Sequence, residues 1–139
     1  MLQSLCCCFQ SGGPPPPQPT AVRFAAQGPR VVASDFTVRG EGCALANAPL
    51  LQTRAYFEVK VIEGGAFCIG VGASKKGPSG ASGLDQKLVD RPDSWAYEPP
   101  QGTVKVGDVL GCTFDMSEVR PVLSFFLNGK KIEAATMRD

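Results

Sequence analysis

The sequence contains no histidine, and its charges nearly cancel. Histidine is the usual general base and the commonest metal ligand, so its absence argues against most hydrolase and metalloenzyme mechanisms. The net charge of +1 provides no electrostatic attraction for nucleic acid. No apolar run approaches the roughly 18 to 20 residues that a membrane span needs. We therefore expect a protein without metal, cofactor or nucleic-acid partner.

Glycine and proline, in contrast, are abundant. The chain has 139 residues, of which 16 are Gly and 12 are Pro. This composition favours many turns and short strands over long helices. The length suits one domain with one core. A small all-β domain is the simplest interpretation.

The clearest strand signals lie near the C-terminus. Residues 109–114 and 123–127 are two runs with strand character, and Asn128-Gly129 follows the second run. Asn and Gly tolerate the positive φ that a type I′ turn requires, so this pair predicts a tight hairpin that sets the register of the strands beside it.

A second strand pair is expected in the middle of the chain. Residues 55–62 alternate between apolar and polar side chains, and Glu63-Gly64-Gly65 predicts a hairpin turn into a strand at 66–72. One face of that second strand carries only small residues, and glycine in a strand indicates close packing against something else. We expect Trp95 or Tyr56 to cover this face.

The first twenty residues differ in kind from the rest. A short apolar piece with three adjacent cysteines is followed by a segment containing four consecutive prolines. Four prolines favour an extended polyproline II spacer. We expect a disordered Cys- and Pro-rich tail over residues 1–20 and a folded domain over residues 21–139.

Cys6, Cys7 and Cys8 are candidates for S-acylation, which would tether the domain to a membrane. The alternative is a disordered terminus whose thiols have no role. Zinc binding is not expected because the C-x-x-C spacing is absent. A signal peptide is not expected either, because the terminus lacks a basic region. These features predict a cytoplasmic protein with membrane association through acylated cysteine.

The other cysteines occur within strand-like runs. In a reducing compartment such residues behave as small buried hydrophobes. We expect Cys43, Cys68 and Cys112 to be buried or half-buried.

Five short motifs occur in the order and approximate spacing typical of one domain family. They are Tyr56-Phe57-Glu58-Val59, Ile69-Gly70-Val71, Ser94-Trp95-Ala96-Tyr97, Gly107-Asp108-Val109-Leu110-Gly111 with Asp115, and Phe126-Leu127-Asn128-Gly129. With these motifs, residues 21–132 resemble a SPRY domain. The N-terminal cysteines and the segments 42–45 and 48–50 extend the resemblance to one particular member of that family.

The resemblance implies a bent antiparallel β-sandwich, similar to concanavalin-type folds, whose loops bind a partner protein or a short peptide without catalysis. It also implies two or more strands after the Asn128-Gly129 hairpin. We therefore expect the domain to be incomplete at its C-terminus, marginally stable and monomeric. The alternatives are a carbohydrate-binding, lectin-like sandwich and a truncated product with no function of its own.

Acidic residues near the C-terminal hairpin invite a catalytic interpretation. Asp115 and Glu118 can be compared with the paired carboxylates of glycosidases, but they flank a turn, where acidic residues are expected in any case. Asp108 follows a turn glycine, and we expect its carboxylate to accept backbone N–H bonds. No catalytic residues are predicted.

Trp95 and Tyr97 have the same parity on one strand and should share a face. An inward face would make them core aromatics. A face lining a pocket, with Arg91 and Asp93 beside it, would instead form an aromatic cluster able to grip a peptide. We nominate Arg91, Asp93 and Tyr97 as partner-binding residues.

Overall fold

The computed structural model describes residues 4–9, 23–34, 36–47, 50, 53–73, 83–117 and 119–138. Residues 4–9 and 137–138 are described by their backbone. The described residues form strands and two single-turn 3₁₀ helices, with no α-helix among them. The all-β class predicted from the sequence is confirmed. The several antiparallel pairings agree with the β-sandwich that the resemblance to SPRY domains implies.

Twelve strands are present in the described residues. They are β1 (Ser4–Phe9), β2 (Phe24–Gln27), β3 (Arg30–Ser34), β4 (Thr37–Glu41), β5 (Ala44–Ala46), β6 (Arg54–Lys60), β7 (Cys68–Ala73), β8 (Ser94–Tyr97), β9 (Val109–Asp115), β10 (Val122–Leu127), β11 (Lys130–Lys131) and β12 (Met137–Arg138). The 3₁₀ helices are Leu88–Asp90 and Glu133–Ala135.

The chain divides into two compact units. Unit 1 comprises Met1–Leu51 and Gly65–Glu98, and unit 2 comprises Gln52–Gly64 and Pro99–Asp139. Unit 1 contains a five-stranded sheet in the order β2-β5-β1-β7-β8 and the separate β3–β4 hairpin. Unit 2 contains a sheet in the order β11-β10-β9-β6, with β12 also paired to β10.

The centre of the unit 1 sheet differs from the sequence prediction. Residues 1–20 were expected to form a disordered tail, but Ser4–Phe9 is strand β1, which pairs in parallel with both β5 and β7. The reason lies in the backbone, because the facing edges of β5 and β7 can both hydrogen-bond to a strand placed between them. The four prolines lie outside the described residues.

The core of unit 1 contains two of the predicted buried cysteines. Cys43, Leu45, Cys68 and Leu88 form a fully buried cluster. Ala26, Leu84 and Ala96 pack against it. The third cysteine, Cys112, is buried on β9 in unit 2. The burial expected for all three thiols is confirmed.

The C-terminal hairpin in unit 2 has the predicted form. β9 pairs antiparallel with β10, and β10 pairs with β11 across Asn128-Gly129. Asn128 has φ of 48° and Gly129 has φ of 81°. Both residues adopt the left-handed conformation that a type I′ turn requires.

The hairpin predicted at Glu63-Gly64-Gly65 does not form. β6 pairs with β9 in unit 2, whereas β7 pairs with β1 and β8 in unit 1. A glycine-rich connection lets the chain turn but does not specify a partner. The partner of β6 is β9, with which it pairs over seven residues.

At Gly70, on the small-residue face of β7, the nearest atoms belong to the neighbouring strand β8 and not to an aromatic ring. A Cβ atom at Gly70 would come within 2.6 Å of the Cα atom of Ala96 on β8. The close approach of a neighbouring strand, and not a bulky ring, therefore requires glycine here. Trp95 is 38% exposed and is not a core residue. Tyr56 lies over a different glycine, described below.

Candidate functional site

One face of the unit 2 sheet carries a shallow groove of about 550 Å³. Residues directly opposite one another on antiparallel strands place their side chains on the same face. The registers of β6, β9 and β10 therefore align two rows of side chains across the sheet. The rows are Arg54, Asp115 and Val122, and Tyr56, Thr113 and Ser124.

Tyr56 is the aromatic residue of this groove, and it lies over Gly111. A Cβ atom at Gly111 would lie 2.6 Å from the phenolic oxygen of Tyr56 and 2.9 Å from its Cε2 atom. Gly111 is the β9 partner of Glu58. The tyrosine ring therefore occupies the space left by the missing side chain opposite Glu58. The ring keeps one surface open, since Tyr56 is 59% exposed.

The phenol of Tyr56 is held by Glu58. Tyr56 Oη donates a hydrogen bond of 3.0 Å to Glu58 Oε2. This hydrogen bond, with smaller contributions from desolvation and the negative charge of Glu58, raises the pKa of Tyr56 above its usual value. The group is therefore a neutral phenol at physiological pH, suited to aromatic contact and hydrogen bonding.

An ion pair lies at one end of the groove. Arg54 Nε is 3.0 Å from Asp115 Oδ2. Ser117 donates to Asp115 Oδ1 from its backbone nitrogen at 2.8 Å and from its hydroxyl at 2.5 Å. The Ser117 hydrogen bonds, followed by the charge of Arg54, lower the pKa of Asp115. An ionised carboxylate with these partners is unsuited to donating a proton as a general acid.

The glycosidase comparison gains no support from this arrangement. Asp115 is engaged by Ser117 and Arg54, and Glu118 lies outside the described residues. Asp115 instead stabilises the turn between β9 and β10, as acidic residues commonly do.

Asp108 also has the structural role expected from sequence. Its carboxylate accepts the backbone N–H of Lys105 at 2.8 Å and the side-chain amide of Asn128 at 3.0 Å. The Asn128 bond, followed by the Lys105 bond, lowers the pKa of Asp108. Asn128 Oδ1 in turn accepts the backbone N–H of Val109 at 2.9 Å. These contacts tie the start of β9 to the turn after β10.

The three nominated partner-binding residues lie in unit 1. Arg91 is half-buried, and its guanidinium is 4.0 Å from Cys43 Sγ in the buried cluster. Asp93 is exposed, and its carbonyl accepts the backbone N–H of Ala73. Tyr97 is half-buried and pairs with Ile69.

Arg91 and Tyr97 do not share one surface. Ala96 packs on the buried cluster that Arg91 approaches, and Tyr97 follows Ala96 on β8. Successive residues of a strand point to opposite faces. Arg91 and Tyr97 therefore extend toward opposite faces of the unit 1 sheet. Their role in partner binding stays a prediction.

Cys6, Cys7 and Cys8 lie in β1. The backbone register places Cys6 between Leu45 and Gly70. S-acylation of this segment also stays a prediction. The accessibility of the three cysteines to an acyltransferase depends on whether β1 is paired in the sheet.

The sequence interpretation did not nominate the Tyr56 groove. Tyr56 and Gly111 were both visible as strand residues, and the alternation of 55–62 indicates that Tyr56 and Glu58 face away from the core. Arg54 and Asp115, however, are 61 positions apart in sequence (115 − 54), and only the β6–β9 register brings them together. The sequence signal that could have indicated the groove was Tyr56, an aromatic residue on the polar face of a strand.

Within the residues that the structure describes, none of the helical segments is long and apolar enough to cross a bilayer.

Comparison with known proteins identifies clear relatives, although no family model matches the chain. SPRY domain-containing protein 7 from Gallus gallus is 35% identical over 112 residues, which are 73% of this chain and 55% of that protein. The proteins of the same name from Bos taurus and Homo sapiens are 34% identical with the same coverage. The chain spans about 55% of the length of the relatives it matches.

Proposed function

Because this chain belongs to the SPRY-domain family, we propose that it is a non-catalytic module that binds a partner protein or a short peptide. SPRY domains generally serve protein interaction. The similarity to SPRY domain-containing protein 7 over 73% of the chain is the observation that carries the proposal. The absence of histidine from the sequence agrees with a binding role.

The Tyr56 groove is the surface that we propose for binding. Tyrosine and arginine are enriched among the residues that dominate binding energy in protein interfaces. Tyr56 offers an exposed ring, and Arg54 lies at the end of the same groove with 74% of its side chain exposed. A partner peptide would place an apolar side chain on the ring and a hydrogen-bonding group near Thr113, which is half-buried beside it.

Proximity labelling in cells tests this proposal. The whole chain is fused to a labelling enzyme, and an unrelated β-domain serves as the background control. The parent should enrich specific proteins, whereas Tyr56→Ala should reduce that enrichment at least several-fold because the ring is lost. Tyr56→Phe should retain most of the enrichment because it keeps the ring. No enrichment by the parent over the control would contradict a partner-binding function.

A second set of variants distinguishes the two candidate surfaces. Arg91→Ala, Asp93→Ala and Tyr97→Ala alter the residues nominated from sequence. If these variants lose the partner while Tyr56→Ala retains it, the module function stands and the groove assignment is wrong. The reverse result would assign binding to the groove.

We also propose a cytoplasmic location with membrane attachment through S-acylation of Cys6, Cys7 and Cys8. An acyltransferase needs access to its substrate segment, so we expect modification on molecules in which β1 has left the sheet. Replacing all three cysteines with serine should move the chain from the membrane fraction to the supernatant. An unchanged distribution would contradict the anchor. Hydroxylamine release of a bound acyl group provides the matched chemical measurement.

A further inference from the structure

Strand β6 lies at one edge of the unit 2 sheet. In the strand order β11-β10-β9-β6, its hydrogen-bonded neighbour among the residues that the structure describes is β9 alone. β6 pairs with β9 over seven residues without a register shift, and it contains no proline. Edge strands are commonly short, bulged or interrupted by proline, because an uninterrupted edge is a template for another strand. The long and regular edge of β6 is therefore suited to pairing.

The hydrogen bonds at the two ends of β6 show which backbone groups face the open side. Met116 donates its backbone N–H to the carbonyl of Thr53 at 2.7 Å, and Val61 donates to the carbonyl of Asp108 at 2.9 Å. Hydrogen-bonded positions alternate along an antiparallel pair, so the odd-numbered residues of β6 bond to β9. The even-numbered residues direct their N–H and C=O groups to the open side. They are Arg54, Tyr56, Glu58 and Lys60.

The side chains of these four even-numbered residues share one face of the sheet, and all four are exposed. Two of them lean toward β9 and leave the open edge clear. The ring of Tyr56 lies over Gly111, and the guanidinium of Arg54 bonds to Asp115 through Nε. A second strand can therefore approach the backbone of β6 without displacing the aromatic ring.

A second copy of β6 complements this edge when the two strands run antiparallel with Tyr56 opposite Tyr56. Arg54 of each copy then lies opposite Glu58 of the other, and Ala55 lies opposite Phe57. Opposite charges and apolar side chains placed directly across an antiparallel pair are stabilising. The two edges would exchange about six backbone hydrogen bonds, two for each facing pair of outward residues.

The neighbouring registers are disfavoured by charge. Centring the pair on Phe57 places Arg54 opposite Lys60 at both ends. Centring it on Glu58 places two glutamates opposite each other, and like charges directly opposite are destabilising. A register centred before Tyr56 pairs fewer residues of β6. The charge pattern of the strand therefore selects the register centred on Tyr56.

We propose that two copies of the chain associate through their β6 edges as an antiparallel dimer, which joins their unit 2 sheets into one. The contact uses the same edge on both copies, so it closes at two. This differs from the monomer expected from sequence, because the open edge is apparent only from the strand order. The dimer is separate from the proposed partner binding, since strand pairing extends the sheet in its plane and the groove lies on its face.

Light scattering coupled to size-exclusion chromatography tests this association with the whole chain under reducing conditions. The parent should have twice the mass of one chain at high concentration and dissociate on dilution. Glu58→Arg places like charges opposite each other in both symmetric pairs, so it should raise the dimer dissociation constant about tenfold or more. A parent that is monomeric at about 1 mM would overturn the proposal.

Glu41→Arg is the matched control because it makes the same charge change on β4 in unit 1. Glu41 is exposed and pairs with Arg30. This variant should dimerise as the parent does, and far-ultraviolet circular dichroism should show the same β content in both variants. An equal loss of dimer in Glu41→Arg and Glu58→Arg would overturn the proposal, because net charge and not the β6 edge would then control association.

Cysteine cross-linking tests the register in a chain whose Cys6, Cys7 and Cys8 are replaced with serine. Tyr56→Cys places two thiols across a hydrogen-bonded pair, where the Cα atoms are about 5.5 Å apart and a disulfide can form. Lys60→Cys is the control, since its two copies lie eight residues apart along the pair, or about 26 Å. Mild oxidation should therefore link the first variant and not the second on a non-reducing gel.

Three results would overturn the assigned interface. Equal linkage of the two cysteine variants would contradict the register centred on Tyr56. Absence of linkage in Tyr56→Cys, when the parent is a dimer, would assign the association to another surface. Assemblies larger than a dimer in light scattering would contradict a contact that closes at two copies.

Discussion

The ring of Tyr56 fills the space that Gly111 leaves on the neighbouring strand. A Cβ atom at Gly111 would approach the tyrosine oxygen to 2.6 Å, and the same oxygen is hydrogen-bonded to Glu58. A residue without a side chain thus determines where the aromatic group of the groove lies. A substitution at Gly111 should therefore affect partner binding, through the position of Tyr56, more than it affects folding.

We expect Gly111→Ala to weaken partner capture with little effect on stability. The nearest atoms belong to the far end of an exposed side chain, so the ring can swing outward while the backbone stays in place. The change in the free energy of unfolding should stay within about 1 kcal/mol, since alanine is tolerated better than glycine in a strand interior. Capture should fall several-fold.

Gly64→Ala is the matched control for that variant, because no atom lies within 4 Å of a Cβ built there. Urea denaturation and partner capture are measured for both variants. Equal capture by the two would contradict a role for Gly111 in positioning Tyr56.

Asn128 should stabilise the C-terminal hairpin through both its conformation and its side chain. Asn128→Ala places an alanine at φ of 48° and removes the hydrogen bonds to Asp108 and Val109. We expect a loss of about 1 to 3 kcal/mol in the free energy of unfolding. Asn128→Gly removes the same hydrogen bonds but tolerates the positive φ, so its loss should be smaller. Equal losses in urea denaturation would show that conformation is not the cause.

Stability should fall in acid because two carboxylates have lowered pKa values. The pKa values of Asp108 and Asp115 lie below their ordinary value of 3.8 in the folded state, chiefly through hydrogen bonds from Asn128 and Ser117. A group with a depressed folded pKa contributes stability above its unfolded pKa, and this contribution is lost as the pH falls through the folded pKa. The urea midpoint should therefore decrease below about pH 4.

Ser117→Ala tests the Asp115 part of this acid response. It removes the hydroxyl donor while leaving the carboxylate in place. The decrease in the urea midpoint between pH 5 and pH 2.5 should become smaller in this variant. An identical pH profile would contradict the assigned cause.

Leu88 should be essential to unit 1. Its side chain is fully buried in the cluster with Cys43, Leu45 and Cys68. Leu88→Ala should cost about 2 to 5 kcal/mol because it removes buried methyl groups and leaves a cavity. Val89→Ala is the adjacent control, since Val89 is 37% exposed. A cooperative thermal transition that is the same in both variants would contradict the core assignment.

The same thermal measurement bears on whether this chain has an independent function. A sharp cooperative transition in the parent would support a folded interaction module. Its absence would favour a product that does not fold alone, which is the alternative raised by the sequence.

The sequence by itself predicted the local features of this protein. The alternation of 55–62 indicated the buried and exposed faces of β6, and Asn128-Gly129 predicted the hairpin between β10 and β11. Both predictions were accurate because side-chain alternation and turn conformation depend on neighbouring residues. Together with the earlier motifs, these features were sufficient to indicate the SPRY-domain family.

Only the tertiary structure decided which strands pair. A glycine-rich turn after β6 was equally compatible with a hairpin and with a passage to another sheet, and the register with β9 selected the latter. That register brought Tyr56 over Gly111 and Arg54 to Asp115, although each pair is distant in sequence. The position of β1 was likewise determined by two strand edges that come together only in the folded chain. Backbone N–H and C=O groups are the same in almost every residue, so the sequence of one strand does not specify which strand it pairs with. The pairing was therefore decided only in the complete sheet.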